Sequence, residues 1–332
     1  MSVGQEGFCL DRRTFLLGSL MPAYALAAFE GPKVRPGFGV PQKGRTGAFA
    51  VTPLTVPVGL ESPFTALHVS DTHLNFADLR EIPVGSPQYE SFQDRWMRFP
   101  HAFDNFVATL DYAERRGLPI FHTGDLYDSL TEANSAAVRR ARGALRFDAW
   151  AVGNHEFYRG WCGHRTEVTG ACDQLAREFG RDTSFSVFER GGARFVSFDN
   201  VAEGRVSEGV VARVRKVFDD GRPVVLLCHV PPVDTPEMLA AERERLRYRL
   251  LARGDDPKKV EEYVANRRRI PVQDGYDEGS RRFYDFLRRQ PQLKAILCGH
   301  RHAEYHVRFS DTAEMHVVGG NFDGCAYEIS FV

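Results

Sequence analysis

The chain of 332 residues has few cysteines, almost no net charge and no apolar run of the ~20 residues needed to span a bilayer. Six cysteines, none of them in a Cys-x-x-Cys pair, are too few for a disulfide-built scaffold. Forty-three basic residues against 44 acidic ones leave a net charge of −1, so no overall positive field attracts nucleic acid or anionic lipid. With 43% hydrophobic residues, the sequence predicts a globular protein with a sizeable core, in one large domain or two.

Residues 1–28 have the features of an export signal. Arg12 and Arg13 precede an apolar stretch from Thr14 to Ala28, which contains the small-residue site Ala25-Leu26-Ala27. The pattern resembles a bacterial twin-arginine signal and predicts a periplasmic or secreted protein. The alternatives are an amphipathic surface helix and a membrane anchor, but the stretch is shorter than the ~20 residues of a membrane span and is interrupted by glycine and proline. We expect no transmembrane segment in the mature chain.

The rest of the chain divides into a linker and one large domain. Residues 29–63 contain six glycines and six prolines, which predicts irregular chain passing into an edge strand around Ala48 to Val58. In residues 64–332, short apolar runs alternate with helical patterns, and this alternation predicts an α/β domain with helices packed on sheets. The strand-like runs are Thr65–Val69, Pro119–Phe121, Ala149–Val152, Arg194–Phe198, Pro223–Leu227 and Lys294–Leu297.

Helix ends are marked by capping residues. Gly117 follows one helical pattern and predicts its end. Ser129 and Glu132 have the spacing of a capping box and predict the start of the next helix, which should end near Gly143.

Five separated clusters of polar residues each follow an apolar run. Because ligands of an open α/β sheet bind at the carboxyl ends of its strands, these clusters can meet in one crevice. Imidazole, carboxylate and amide groups together suit Mn, Fe, Zn or similar divalent ions, and their number exceeds what one tetrahedral ion can use, so two ions are predicted. The clusters are Ser70–His73, Gly124–Asp128, Gly153–Glu156, Cys228–Pro231 and Gly299–His302.

The spacing within the clusters supports a metal site. Asp71 and His73 are two residues apart, as are His300 and His302, so on extended chain each pair projects to the same side. Glycines begin three of the clusters, where they allow sharp turns and close approach of backbones.

In this order, the clusters resemble the blocks of the calcineurin-like metallophosphoesterase family: Asp-x-His, Gly-Asp-x-x-Asp, Gly-Asn-His-Asp/Glu, His and Gly-His-x-His. The resemblance covers about residues 65 to 332. It implies a two-sheet β-sandwich flanked by helices, and a hydrolase in which metal-bound hydroxide attacks phosphorus. One ion would be held by Asp71, His73, Asp125 and His302, and the other by Asp125, Asn154, His229 and His300, with Asp125 bridging.

The same resemblance makes His155 the catalytic imidazole, which stabilises the developing charge or protonates the leaving alkoxide, and makes Asp128 its orienting partner. Purple acid phosphatases of this superfamily have a tyrosine ligand where this chain has Asp128, so we expect a colourless protein. The implied substrate is a small phosphodiester or phosphomonoester. Alternatives are a pyrophosphate hydrolase of a nucleotide-sugar or lipid, a protein phosphatase, and a non-catalytic metal-stabilised binding protein. No stable nucleic-acid partner is expected, and the oligomeric state is not predicted.

Two segments look inserted. Residues 75–100 hold aromatic residues that could line the cleft or pack in the core. Residues 233–290 predict a helical hairpin, with one helix starting at Thr235-Pro236 and another at Asp256-Pro257. Ten basic and six acidic residues lie between Ala240 and Ile270 and form either a solvated face or a lid whose arginines meet phosphate.

Some further residues have open roles. Cys162 and Cys172 could form a disulfide after export or remain free. Other side chains close to the blocks could reach a phosphoryl group: Arg159, His164, Arg165 and Arg301. The histidines without ligand spacing are predicted to be structural: His68, His101, His122, His306 and His316.

Overall fold

The computed structural model describes residues 49–76, 82–141, 147–158, 168–202, 205–266 and 271–332. Two sheets form a β-sandwich flanked by helices, as predicted. The first sheet has the order β1 (Ala50–Val56), β11 (Cys325–Phe331), β2 (Phe64–Val69), β3 (Ile120–His122) and β4 (Phe147–Trp150). The second has the order β5 (Phe185–Arg190), β6 (Ala193–Phe198), β7 (Val224–Leu227), β8 (Leu293–Cys298), β10 (Glu314–Val317) and β9 (Tyr305–Arg308).

Parallel pairing brings the carboxyl ends of the central strands to one side of the sandwich. β2, β3 and β4 are parallel neighbours in the first sheet, and β7, β8 and β10 are parallel neighbours in the second. The six strand-like runs of the sequence are all strands, with ends shifted by one or two residues. The loops that follow these strands therefore face one another across the edge of the sandwich.

The interior of the sandwich is rich in phenylalanine. Phe64, Phe195 and Phe331 pack with ring centroids 5.0 to 5.3 Å apart, and Phe121 joins them. Burying one such side chain contributes about 2–3 kcal/mol, so this cluster holds the two sheets face to face.

Eight helices lie in the described parts of the chain. On the first sheet, α2 packs through Phe106 and Leu110, and on the second, α8 packs through Phe283 and Leu287. The bounds are α1 (Pro87–Arg98), α2 (Ala102–Arg116), α3 (Glu132–Ala141), α4 (Val168–Phe179), α5 (Glu208–Lys216), α6 (Pro236–Ala252), α7 (Pro257–Asn266) and α8 (Glu278–Arg288).

Helix capping matches the prediction at two positions and differs at a third. Gly117 ends α2 with a left-handed φ of 62°, and Thr235 accepts a hydrogen bond from the third residue of α6. The prediction of a capping box at Ser129 was wrong. Thr131 caps α3 instead, because its hydroxyl accepts from the backbone N–H of Asn134 while Ser129 Oγ has no hydrogen-bond partner.

Both inserted segments contain helices. The predicted hairpin is present as α6 and α7, joined by Arg247, whose guanidinium binds Glu261 at 2.7 and 3.1 Å. The first segment, for which no helix was predicted, forms α1. Ser86 caps this helix and Pro87 occupies its first turn. This pair is a helix-start signal in the sequence, but the aromatic residues that follow have no clear helical periodicity.

Some predictions concern residues outside the described ranges. The export signal, most of the linker and Cys162 are among them, so the signal and the disulfide stay predictions. Within the described ranges, no helix is both long enough and apolar enough to cross a bilayer.

Candidate metal centre

The loops after β2, β3, β7 and β8 bring the predicted carboxylate and imidazole ligands into two groups. In each group the ligand atoms lie within 4.8 Å of one another. Asp125 belongs to both groups: its Oδ2 lies 3.2 Å from His229 Nε2 and 3.7 Å from His73 Nε2. The first group is Asp71, His73, Asp125 and His302, and the second is Asp125, His229 and His300. The two groups contain the carboxylate and imidazole members of the two predicted ion sites, with Asp125 common to both.

Two buried oxygen atoms in this cluster are suited to a cation. Asn154 follows β4 at the start of a short 3-10 helix, and its Oδ1 is buried without a hydrogen-bond partner. Asp71 Oδ1, 3.1 Å from His302 Nε2, also accepts no well-aligned hydrogen bond. An unsatisfied buried acceptor costs about 1–3 kcal/mol, which a coordinated ion would offset. The donor set therefore fits two divalent ions of the Mn, Fe or Zn kind.

The backbone is strained in the loops that carry the predicted metal ligands, called the ligand loops below. In the described residues, positive φ angles outside glycine occur at Asp71, His73, Asp125, His300 and His302, with values of 51° to 69°. All five are predicted ligands. Left-handed backbone costs about 1–3 kcal/mol at such a residue, and Asp and His tolerate it better than most side chains. The surrounding hydrogen bonds must hold these residues in place.

Backbone hydrogen bonds tie the ligand loops together. The N–H groups of Asp71 and His73 donate to the carbonyls of Gly124 and Asp125, each at 2.9 Å. The carboxylates also accept from neighbouring loops: His300 N–H donates to Asp71 and His155 N–H donates to Asp125, each at 2.8 Å. Each carboxylate is thus oriented before any ion binds.

Close contact between these loops requires glycine at position 124. Gly124 has φ of 95°, and a Cβ atom there would lie 2.6 Å from the backbone nitrogen of Gly153 and 2.7 Å from His229 Nδ1. Substitution would therefore push apart the loops that carry three predicted ligands: Asp125, Asn154 and His229.

Electrostatics favour cation binding. Although burial opposes its ionisation, His229 and His155 hold the pKa of Asp125 far below the usual range. Burial alone would lower the pKa of His229, but the Asp125 carboxylate raises it to about 10. Likewise, burial lowers and the Asp128 carboxylate raises the pKa of His73, with a net rise to about 9. A bound metal ion would take the place of the protons that these imidazoles otherwise hold.

Asp128 lies beside His155, as predicted, but its carboxylate mainly serves another imidazole. Asp128 Oδ1 is 2.8 Å from His73 Nδ1 and 3.5 Å from His155 Nδ1. His155 Nδ1 instead bonds to the backbone carbonyl of Asp128 at 2.8 Å. Both oxygens of Asp128 also accept from Arg95, whose Nε donates to Oδ2 at 3.0 Å. The side chain of Asp128 therefore fixes His73, a predicted metal ligand, while its backbone orients His155.

An aromatic wall covers one side of the cluster, formed by Phe99 and Phe322. Phe99 stacks on the His73 ring with centroids 4.8 Å apart, and Phe322 lies 4.3 Å from Phe99 and 4.9 Å from His302. Phe76, in contrast, packs against Phe103 away from these ligands. The aromatic residues of the first inserted segment thus divide between the cleft and the core.

Several supporting residues were not predicted. Glu156 accepts from the N–H groups of Asp125, Tyr127 and Gly153, and so joins two ligand loops. Asn321 accepts from the Thr72 hydroxyl at 3.2 Å, and its N–H donates to the carbonyl of the residue before Asp71. In the sequence, the glycine pair before Asn321 indicates a loop at that place. No sequence pattern indicates the positions of Arg95 and Phe322.

Other predicted residues have the following positions. His122 is buried with its pKa lowered to about 3, and it bonds to Thr72 at 2.9 Å, which fits a structural role. Arg301 is buried and binds Asp234 and Glu242, so it braces the second inserted segment instead of presenting a guanidinium to a phosphoryl group. Arg159, His164 and Arg165 lie outside the described residues.

Removing the Arg95 side chain is expected to weaken metal binding. Arg95→Ala removes the guanidinium that binds the buried Asp128 carboxylate, at a cost of about 3–5 kcal/mol in stability. Because Asp128 orients His73, the affinity for metal should fall by about 10- to 100-fold. Chemical denaturation and Mn titration measure the two effects. The control is Arg98→Ala on the same helix, whose exposed ion pair with Asp94 is expected to contribute little. Equal losses in both variants would contradict the role of Arg95.

A family model for the calcineurin-like phosphoesterases matches residues 64–304. The chain belongs to this family. This calcineurin-like phosphoesterase also resembles solved structures at low identity. A dimetal phosphatase from Danio rerio is 13% identical over 79% of this chain and 89% of its own, with a TM-score of 0.42. A 5′-nucleotidase from Candida albicans SC5314 is 13% identical over 82% of this chain, with a TM-score of 0.39, and the match spans 48% of the nucleotidase. A comparison with curated protein sequences gave no match.

Proposed function

We propose that this hydrolase cleaves small phosphoesters with the help of two divalent metal ions. The observation that carries the proposal is the sharing of Asp125 by two groups of ligand atoms, each within 4.8 Å. One ion would be held by Asp71, His73, Asp125 and His302, and the other by Asp125, Asn154, His229 and His300. When bound, such a pair lowers the pKa of water and neutralises charge on the attacking and leaving oxygens.

His155 is placed to act on the substrate. Its Nδ1 faces the carbonyl of Asp128, which can only accept, so Nδ1 carries a proton. The opposite nitrogen, Nε2, lies 3.9 Å from Asp125 Oδ2, and the side chain is 13% exposed. In its protonated form, Nε2 can donate a hydrogen bond to a phosphoryl oxygen or give its proton to the leaving alkoxide. Burial lowers the pKa of His155 below its ordinary value and so works against that protonated form, and the Asp125 carboxylate offsets part of this shift.

A direct assay distinguishes a phosphomonoester substrate from a phosphodiester substrate. The full-length protein, stripped and reloaded with Mn, is incubated with para-nitrophenyl phosphate and with its bis-ester, and His155→Ala serves as the control. Faster cleavage of the bis-ester, lost in the variant, would indicate a phosphodiesterase, and faster cleavage of the mono-ester a phosphatase. No turnover of either substrate would contradict this proposal and favour the pyrophosphate hydrolase or the binding protein.

We also propose that the protein is exported through the twin-arginine pathway. Arg12 and Arg13, the apolar stretch after them and the small-residue site at Ala25-Leu26-Ala27 support this. In a bacterial host, fractionation should place the wild-type protein in the periplasm or medium and an Arg12→Lys/Arg13→Lys variant in the cytoplasm. Cytoplasmic wild-type protein would overturn the proposal.

A further inference from the structure

Two histidines outside the metal centre meet at the edge of the second sheet. Among the described strands of this sheet, β9 comes last in the order, and it runs antiparallel to β10. In this pairing His306 lies directly opposite His316, and side chains in such positions project from the same face. The Nδ1 atoms of the two rings are 2.8 Å apart. Neither ring belongs to the two ligand groups of the metal centre.

The neighbouring side chains orient both rings and leave one of them accessible. His306 is exposed, and its ring stacks on Tyr327 with the centroids 5.5 Å apart. The side chain of His316 is only 3% exposed. Glu314, two residues earlier on the same face of β10, places its carboxylate 3.9 Å from Nε2 of His316 and is 66% exposed. The pair can therefore be reached from solvent through His306.

The charges around the pair favour a cation. Arg308 opposes Glu314 in the strand register, but its guanidinium donates to two backbone carbonyls of the turn between β9 and β10, at 3.2 and 3.0 Å. The Glu314 carboxylate therefore faces an imidazole. Burial and the neighbouring His306 lower the pKa of His316 to about 4. The His316 ring is thus neutral at pH 7, and its lone pair needs no deprotonation before it binds a metal ion.

The distance between the rings suits two ligands of one ion. Without an ion, two neutral imidazoles at this distance share one hydrogen bond, in which one Nδ1–H donates and the other Nδ1 accepts. Neighbouring ligand nitrogens in a square-planar or octahedral site, each about 2.0 Å from the ion, are about 2.9 Å apart. With both Nδ1 atoms on an ion, Nε2 of His316 carries a proton and faces Glu314. Metal-bound imidazoles usually have a carboxylate or carbonyl partner of this kind.

We propose that His306 and His316 form a site for one divalent transition-metal ion, separate from the metal centre, with Glu314 orienting His316. By the general order of affinities, Cu²⁺ is bound more tightly there than Ni²⁺ or Zn²⁺. Because the two ligands come from different strands, a bound ion ties the edge strand β9 to β10. The histidines are ten residues apart along the chain, and only the strand register brings them together.

Copper binding to the full-length protein tests this site. The protein is first saturated with Zn²⁺, which is diamagnetic, and then titrated with Cu²⁺ while electron paramagnetic resonance and calorimetry are recorded. Wild-type protein should bind one mononuclear Cu²⁺ per chain, with a spectrum that shows two imidazole nitrogens, and should release no Zn²⁺.

Variants of exposed side chains assign the copper to this pair. His306→Ala and His306→Gln should each weaken Cu²⁺ binding by more than about 100-fold, because loss of an orienting partner alone costs about 10- to 100-fold. Glu314→Gln should weaken it by about 10-fold. His101→Ala, at a partly exposed histidine before α2, is the matched control and should bind Cu²⁺ like the wild-type protein.

Three outcomes would overturn the site. The first is equal affinity for Cu²⁺ in His306→Ala and wild-type protein. The second is release of Zn²⁺ in step with copper binding, which would place the copper in the metal centre. The third is a spectrum with a single nitrogen ligand, which would leave the two rings with a purely structural hydrogen bond. None of these measurements depends on hydrolysis, so the site and the proposed function stand or fall separately.

Discussion

Asp125→Asn is expected to lose both metal ions and at least ~1,000-fold of the activity, because several kcal/mol of transition-state stabilisation depend on the ions. The substitution keeps the shape of the side chain but removes the charge that both ligand groups share. Oδ1 of Asp125 already accepts from His155 N–H, and Oδ2 faces His229. Metal content of the purified variant, measured by elemental analysis, gives the stoichiometry.

A comparison with Asp71→Asn sharpens this prediction. Asp71 belongs to one ligand group only, so its variant should retain the ion held with His229 and His300. Asp104→Asn, at a side chain 79% exposed on α2, is the matched control and should bind both ions. Two ions in Asp125→Asn, or none in Asp71→Asn, would be incompatible with Asp125 as the shared ligand.

His155→Ala is expected to keep both ions and to lose about 10²- to 10⁴-fold in kcat. The side chain belongs to neither of the two proposed ion sites, and its Nε2 is the atom proposed to donate to the substrate. Steady-state kinetics at saturating Mn, together with metal content, separates loss of catalysis from loss of metal. His101→Ala, at a partly exposed histidine that precedes α2, is the control. Full activity in His155→Ala would remove this imidazole from the mechanism.

Asp128→Asn should behave differently from His155→Ala. The Asp128 carboxylate bonds to His73 at 2.8 Å, whereas its backbone carbonyl, which the substitution preserves, holds His155. The variant should therefore require more Mn for half-maximal activity while keeping much of the wild-type kcat at saturation. A large loss of kcat at saturating Mn would return Asp128 to the predicted role as partner of His155.

Much of the site could be predicted because its residues lie in short blocks that follow strands. The apolar run before Asp71 and the run before His300 are both buried strands, and side chains at the carboxyl ends of parallel strands meet in space. The blocks therefore indicated that these residues come together although their separation along the chain is large, and the resemblance to the family implied how they divide between two ions. The catalytic role of the blocks is a proposal.

The supporting residues could not be predicted, because they lie outside the blocks, on elements whose packing no local pattern specifies. Arg95 binds Asp128 from a helix inside an inserted segment, and no local pattern specifies which loop that helix covers. Phe322 and Arg249 meet beside His302 although they come from the loop after β10 and from α6. Such contacts depend on how separate elements pack, and a single sequence contains no periodicity that reports it. The predicted capping box at Ser129 is wrong for a local reason. Thr131, two residues later, has the same side-chain hydroxyl and caps the helix instead.

The left-handed backbone at the five ligand residues has an evolutionary consequence. The left-handed backbone at Asp71, His73, Asp125, His300 and His302 works against folding, as does the buried negative charge of the two aspartates, so replacements that relieve this strain or charge would make the chain more stable and inactive. Mutation alone would then favour the loss of this site over its retention. A lineage released from selection for hydrolysis should therefore lose these five residues early and retain the sandwich beneath them.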